Sequence, residues 1–130
     1  MNASTTASTY RNQQIMTASP EDLTLMLYNG AIRFVSESIG CLQAGNLAKS
    51  NAANLRAQDI VREFMATLDM QYEMSHNLFK LYEYIEYRLI QGNIHKDPAQ
   101  LEEARGMLAE LRDTWVDAMK QVKLAKVVGR

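Results

Sequence analysis

The chain has 130 residues, of which 47% are hydrophobic and 22% charged, and its formal net charge is -1. This length suits a single domain that buries about two-thirds of the surface of its unfolded chain. The near-neutral charge gives no general attraction to nucleic acid, whose binding depends on many Lys and Arg placed against phosphates. No apolar stretch approaches the roughly 18 residues of a membrane-spanning helix. The single Cys41 allows no internal disulfide and is typical of a reducing cytosol.

The first 18 residues are mostly Asn, Ser, Thr, Ala and Gln, with too little apolar surface to order themselves. They also lack the basic start and apolar run of a secretory signal peptide. We therefore predict a flexible N-terminal arm over 1–18. Its large apolar residues after the initiator are Tyr10, Ile15 and Met16, which could fold back over a groove, although a merely frayed terminus fits equally well.

A helix is predicted over 20–40, because Ser19 suits the N-cap, Pro20 the first helical position and Asp22 the third. Its core stripe is predicted to be Leu23, Leu27, Gly30, Phe34 and Cys41. The apolar residues off that stripe are Leu25, Tyr28, Ile32 and Ile39.

Two further helices are predicted over 47–68 and 74–91, the latter ending at Gly92-Asn93. The predicted core face of the second helix is Ala57, Val61, Phe64, Met65 and Leu68, widened by Ala53 and Ile60. That of the third helix is Met74, Leu78, Leu81, Tyr82, Ile85 and Leu89.

A fourth helix is predicted over 98–125, after an Asp97-Pro98 start. Its apolar residues alternate steps of three and four, as in a coiled coil: Leu101, Ala104, Leu108, Leu111, Trp115, Ala118 and Val122. Helices of similar length joined by short loops pack as antiparallel neighbours. The sequence therefore predicts an all-α, antiparallel up-down four-helix bundle over 19–126.

The helices carry more apolar residues than one core requires, which indicates a binding surface for another protein. On the third helix Tyr72, Phe79 and Ile90 lie off the core face, and Tyr84 and Tyr87 lie elsewhere off it. We interpret the first three as a docking groove, with Leu55 and Ile60 nearby. For the first helix, an equally good interpretation is that it is buried on two sides.

The sequence gives little support for a metal site or for acid–base catalysis. A di-iron bundle needs two Glu-x-x-His motifs and two further Glu residues, whereas this chain has one such motif, from Glu73 to His76, mapped away from the core face. The other histidine, His95, falls in a predicted loop. No Ser-His-acid or Cys-His arrangement is suggested either. We predict no metal, no cofactor and no enzymatic activity.

Four blocks of the chain carry a specific pattern. The first is TASPEDL at 17–23 with MLYNGA at 26–31, and the second is AQDIV at 57–61. The third is LYEYI at 81–85 with RLI at 88–90 and Asn93, and the fourth is LRDTW at 111–115 with Ala118. In order and spacing these blocks resemble the FliS family of flagellin-specific export chaperones, and Tyr10 stands where that family tends to carry a tyrosine. The resemblance spans Tyr10 to Met119. Tyr87 departs from it by standing in place of the first of two arginines.

The resemblance implies a cytoplasmic chaperone that binds the C-terminal segment of flagellin, prevents its premature polymerisation and delivers it to the flagellar export apparatus. It implies no cofactor, no nucleic acid and no membrane insertion, and leaves export-gate components or flagellar regulators as further partners. The alternative is a helical adaptor or regulatory protein that uses the same apolar faces for homo-oligomerisation or an unrelated partner. The candidate partner-binding residues are Leu55, Ile60, Phe64, Tyr72, Phe79, Tyr84, Tyr87 and Ile90, with Tyr10, Ile15 and Met16 in the arm.

Overall fold

The computed structural model describes residues 18–128, which form four α-helices and no strand. The helices are α1 (Pro20–Gln43), α2 (Leu47–Thr67), α3 (Glu73–His95) and α4 (Pro98–Val128). The prediction of an all-α bundle is confirmed. Three helices run a few residues beyond their predicted ends, and α3 does so because Gly92 and Asn93 continue the helix. The left-handed residue that ends α3 is Lys96, with φ 52°.

The helix starts follow from local capping. The Ser19 Oγ accepts a hydrogen bond from the Asp22 N–H at 3.2 Å, and Pro20 occupies the first turn of α1. The Asn46 Oδ1 accepts one from the Lys49 N–H at 3.2 Å. Each cap satisfies a backbone N–H that has no partner within the helix.

The four helices pack in a ring, α1 against α2 and α4, and α3 against the same two neighbours. Hydrogen bonds between helix ends show that neighbours are antiparallel. Ser38 late in α1 bonds Ser50 early in α2, and Asn93 late in α3 bonds Asn51 early in α2. Such pairs require neighbours that run in opposite directions.

The core fills the centre of this ring. Its buried apolar residues are Tyr28, Ala31, Val35, Ile39, Ala57, Val61, Phe64, Tyr82, Ile85, Leu89, Leu101, Ala104 and Leu108. Gly92 is buried where α3 turns into α4, and a Cβ there would lie 2.6 Å from the Leu101 Cδ2. A side chain at this position would therefore have to displace the Leu101 side chain.

The predicted core stripe of α1 is wrong by about a quarter of a turn. Tyr28 and Ile39, predicted to lie off the core, are buried, whereas Leu27 and Phe34 are only half-buried. The reason is that α1 packs on α2 along one flank and on α4 along the other, so its apolar residues spread around both sides of the true core axis. The alternative that the first helix is buried on two sides is the correct one.

The predicted stripes of α3 and α4 are right in part. Tyr82, Ile85 and Leu89 are buried, but Leu81 is exposed and Met74 is 72% exposed in the first turn of α3. On α4 the stripe is buried as far as Leu108, half-buried at Leu111 and Trp115, and exposed at Ala118 and Val122. The exposed positions of α4 follow Trp115, which bonds the first turn of α1.

The extension of α4 follows from the helix lengths. The Trp115 Nε1 donates to the Glu21 carbonyl in the first turn of α1, at 3.2 Å. The residues that follow Trp115 therefore lie beside and beyond the beginning of α1. At about 1.5 Å per residue, α4 is the helix that reaches furthest from the ring.

Candidate groove between α2 and α3

A shallow depression of about 350 Å³, widely open to solvent, lies between α2 and α3 and is lined by Arg62, Met65, Ala66, Phe79 and Glu86. We call it the α2–α3 groove. The Arg62 Nε donates to the Glu86 Oε2 at 3.0 Å and so forms an ion pair between the two helices. The lining thus combines apolar side chains with one charged pair at its edge.

Three predicted site residues belong to the flanks that face this groove. Phe79 is half-buried in the lining. At about 100° per residue, Leu55 shares a flank of α2 with Arg62, and Ile90 shares a flank of α3 with Phe79 and Glu86. Leu55 is 46% exposed and Ile90 is half-buried.

Next to the groove, α2 and α3 are joined by amide side chains. The Asn54 Nδ2 donates to the Leu89 carbonyl of α3 at 3.1 Å, and within α2 the Gln58 Nε2 donates to the Asn54 Oδ1 at 2.6 Å, which orients the Asn54 amide. Towards the other end, the Asn93 Nδ2 donates to the Asn51 Oδ1 at 2.8 Å. We call Asn51, Asn54, Gln58 and Asn93 the amide ladder. Its inner members are buried, Asn54 at 0% exposure and Gln58 at 5%.

The interface between α1 and α2 is built differently. The Ser38 Oγ donates to the Ser50 carbonyl at 2.9 Å, and the Ser50 Oγ donates to the Ser38 carbonyl at 2.7 Å. A Cβ added at Gly30 would lie 3.6 Å from the Ile60 Cδ1, at ordinary van der Waals distance. Ile60, a predicted partner-binding residue, therefore points towards α1 and away from the α2–α3 groove.

Phe64 must be corrected as a surface candidate, because it is only 7% exposed and belongs to the core. Its ring stacks on Tyr28 and on Tyr82, with centroids 4.5 and 5.4 Å apart. The two tyrosine hydroxyls share a hydrogen bond of 2.6 Å. Burial raises the pKa of the Tyr28 and Tyr82 phenols, and the bond to Tyr28 raises that of Tyr82 further. In this conformation Phe64 supports the bundle from within.

Tyr84 faces α4, on the opposite flank of α3 from the groove. Its hydroxyl donates to the Glu103 carboxylate and accepts from the Arg88 Nε at 2.9 Å. The Arg88 guanidinium lies over the rings of Tyr84 and Tyr87, 5.1 and 5.7 Å from their centroids. The hydrogen bond to Tyr84 raises the pKa of Arg88. Tyr84 and Tyr87 thus form an aromatic surface of their own beside α4.

The remaining candidates do not join either surface. Tyr72 is 65% exposed at the N-cap position of α3, without a side-chain capping bond. Tyr10, Ile15 and Met16 lie outside the described residues. The structure therefore divides the predicted set: Phe79 lines the α2–α3 groove, whereas Leu55 and Ile90 only share a helix flank with residues of its lining.

A second cavity, of about 260 Å³, lies between the start of α1 and the extended end of α4, and sequence reasoning missed it. It is lined by Ser19, Glu21, Asp22, Leu25, Trp115, Val116, Met119, Lys120, Val122, Lys123 and Lys126. The available signal was the apolar stripe of α4, which continues after the antiparallel α1 has no residues left to cover it. We call this the α1–α4 cavity.

Residues 18–128 hold no group of three or more His, Cys, Asp and Glu side chains that could bind a metal ion. The histidine of the Glu-x-x-His motif, His76, has its Nε2 within 3.0 Å of the Met70 carbonyl in the preceding loop. In the same part of the chain, no helix is both apolar enough and long enough to span a bilayer.

These features define an antiparallel four-helix bundle with an apolar groove between two helices, a shape that suits an amphipathic helical partner. The sequence model of the family described as "Flagellar protein FliS" matches residues 2–122. The chain is 33% identical to the flagellar secretion chaperone FliS of Bacillus subtilis over 111 residues, 85% of this chain and 84% of the relative. It is 32% identical to that of Salmonella typhimurium over 104 residues, 78% and 77% of the two chains. This chain belongs to the FliS family of flagellar secretion chaperones.

Proposed function

We propose that this chain is a cytoplasmic export chaperone that holds the C-terminal segment of flagellin, prevents its premature polymerisation and delivers it to the flagellar export apparatus. The observation that carries the proposal is the α2–α3 groove, with a half-buried Phe79 in its lining. Family membership supports the export role.

An amphipathic client gains free energy in this groove by covering its apolar side chains. The terminal segment of flagellin presents helices with one apolar side, which would otherwise associate with other subunits. A groove between two helices accepts such a side through apolar anchors placed at helical spacing. Leu55 and Phe79 leave apolar surface uncovered in the free chaperone, so a client that covers them gains free energy in proportion to the area buried.

The N-terminal arm is part of the proposal. The chain enters α1 at Ser19, which lines the α1–α4 cavity. The residues before it include Tyr10, Ile15 and Met16, whose apolar side chains compete with the client for the bundle surface. Client binding then displaces the arm.

The substitution Phe79→Asp tests the groove. It places a charge in the apolar lining, so binding of a flagellin C-terminal peptide should weaken at least about tenfold. The free energy of unfolding should change by less than about 1 kcal/mol, because Phe79 is only half-buried. Titration calorimetry and urea unfolding measure the two quantities.

Leu124→Asp is the matched control, because Leu124 is an exposed apolar residue on the far end of α4. It should leave both peptide affinity and stability unchanged. Equal weakening by the two substitutions would show that binding is not located in the groove. A large loss of stability in Phe79→Asp would instead identify Phe79 as a core residue.

The alternative, an adaptor that associates with itself, is favoured by the exposed aliphatic residues at the end of α4: Val122, Leu124, Val127 and Val128. Light scattering with and without the flagellin peptide separates the two functions. A monomer that forms a 1:1 complex supports the chaperone. A tight homodimer that ignores the peptide supports the adaptor.

A further inference from the structure

The amide ladder is an unusual way to join two helices of a bundle. Asn54 is fully buried and Gln58 nearly so, at positions on α2 between the apolar core and the α2–α3 groove. Moving an amide from water into a protein interior has a cost that hydrogen bonds only offset. Replacing the bonded Asn54 and Gln58 side chains by apolar groups of the same shape is often neutral or stabilising, and the Leu89 carbonyl lies inside α3, where the backbone N–H four residues on also bonds it. Stability alone therefore gives no reason for amides at these positions.

The ladder does fix the alignment of α3 along α2. The Leu89 carbonyl, reached by Asn54, lies between Glu86, which binds Arg62, and Asn93, which binds Asn51. These contacts follow one another at steps of three and four residues on α3, and at steps of three and eight on α2. A shift of α3 by one helical turn, about 5.4 Å, would break all three contacts at once. Apolar side chains, by contrast, tolerate such a shift more readily, and buried polar residues are known to set register for this reason.

The same alignment determines the shape of the groove. Phe79 and Glu86 from α3 face Arg62, Met65 and Ala66 from α2 only in the register that the ladder specifies. The direct bond from the Asn54 side chain to the backbone of α3 also sets how closely the two helices approach at that level.

We propose that Asn54, with its amide oriented by Gln58, is a positioning residue of the docking groove, and that it holds α2 and α3 in the one register that presents Phe79 to a client. The inference rests on the proposed function, because the client it invokes is the flagellin C-terminal segment. In this role the buried amides set the geometry of the binding surface and do not stabilise the fold.

The test replaces the inner ladder by apolar side chains of similar shape, as Asn54→Leu with Gln58→Met in the full chain. The free energy of unfolding should stay equal to that of the wild type or rise. The affinity for a flagellin C-terminal peptide should fall about tenfold or more. The ¹H–¹⁵N spectrum of the free variant should show broadened or doubled amide signals along α3, because more than one register is then populated.

The matched control is Ser38→Ala with Ser50→Ala, which removes a buried polar pair from the α1–α2 interface. It should lower stability slightly and leave peptide affinity and the α3 signals unchanged. A folded ladder variant with wild-type affinity and one sharp set of α3 signals would overturn the inference. If the ladder variant does not fold, the half-exposed rung takes its place as Asn51→Leu with Asn93→Leu, for which we expect a smaller loss in the same two measurements.

The two proposals fail in different ways. A wild-type chain that does not bind the peptide contradicts the proposed function, whereas the α3 spectrum still tests the register role of the ladder. A wild-type chain that binds, together with a ladder variant that binds equally well, contradicts only the positioning role.

Discussion

Helix α2 contacts α1 and α3 along two flanks of different chemistry. Towards α1 it presents Ser50, whose bonds with Ser38 run through short side chains directly to the opposite backbone. Towards α3 it presents longer amides and Arg62, and part of the space between the helices remains open to solvent. Short side chains let backbones approach closely, whereas longer polar ones hold two helices at a distance and in register.

The two interfaces of α2 serve different purposes within one bundle. The α1–α2 interface provides tight packing that leaves no room for a partner. The α2–α3 interface gives up some packing and keeps apolar side chains such as Phe79 accessible at its edge. A protein that binds another chain needs both kinds of interface, one to keep the fold intact and one to remain incomplete until the partner arrives.

The largest effect should come from enlarging a residue of the tight interface. Ser38→Leu overpacks a fully buried position and removes the hydroxyl that donates to the Ser50 carbonyl. We expect a loss of about 3 kcal/mol in the free energy of unfolding. Asn51→Leu, on the exposed part of the α2–α3 interface, should cost less than about 1 kcal/mol. Urea unfolding measures both, and similar losses would erase the distinction between the interfaces.

An intermediate effect should appear at high pH, through the aromatic stack that links α1, α2 and α3. Folding raises the pKa of the Tyr28 and Tyr82 phenols, chiefly by burial. The unfolded chain releases these protons near pH 10, about the ordinary value, while the folded chain retains them. The stability that they contribute is therefore fully present below that pH and is lost as the pH rises above it.

Thermal unfolding followed by circular dichroism between pH 7 and pH 11 measures this loss. The control is Tyr28→Phe with Tyr82→Phe, which removes both hydroxyls together and leaves no unpaired group. Its Tm should fall less steeply above about pH 10 than that of the wild type. Identical pH profiles would mean that these two phenols do not contribute to the loss.

The smallest effect should come from deleting the N-terminal arm, and it should change only the affinity for the client. Deletion of the residues up to Thr17 should raise the affinity for the flagellin peptide a few-fold, because a competitor for the bundle surface is removed, while the unfolding of the bundle stays the same. Titration calorimetry of the truncated and full chains measures the ratio. Unchanged or weaker binding would show that the arm does not compete.

The helices could be predicted from local signals. Ser19 and Pro20, Asn46, and Asp97 with Pro98 mark helix starts whose chemistry depends on near neighbours alone. The bundle follows from short loops, and the four sequence blocks point to the family that the comparisons confirm. The predicted end of α3 at Gly92 was wrong. Gly92 lies inside the helix, in close contact with Leu101, and sequence periodicity does not show this contact.

The candidate surfaces were harder to predict, because they depend on which flank of each helix meets which neighbour. On α1, apolar residues occupy both flanks as well as the core axis, so the sequence offers more than one apolar stripe and Tyr28 was assigned to the wrong face. Phe79 was recognised because it lies well away from the core axis of α3. The amides of the ladder carried no signal, since Asn54 and Gln58 resemble ordinary polar surface residues until α3 is placed beside them.

The ring order of the helices has a consequence for how the chain folds. Three of its four interfaces join helices that are consecutive in sequence, and only the contact of α1 with α4 closes the chain over a long distance. Folding rates rise as contacts become more local in sequence, so the first three helices can assemble as the chain emerges from the ribosome. The closing step waits for α4, whose Trp115 returns to the Glu21 carbonyl at the beginning of the bundle. Measured refolding should therefore be fast, and substitutions at Trp115 should chiefly accelerate unfolding.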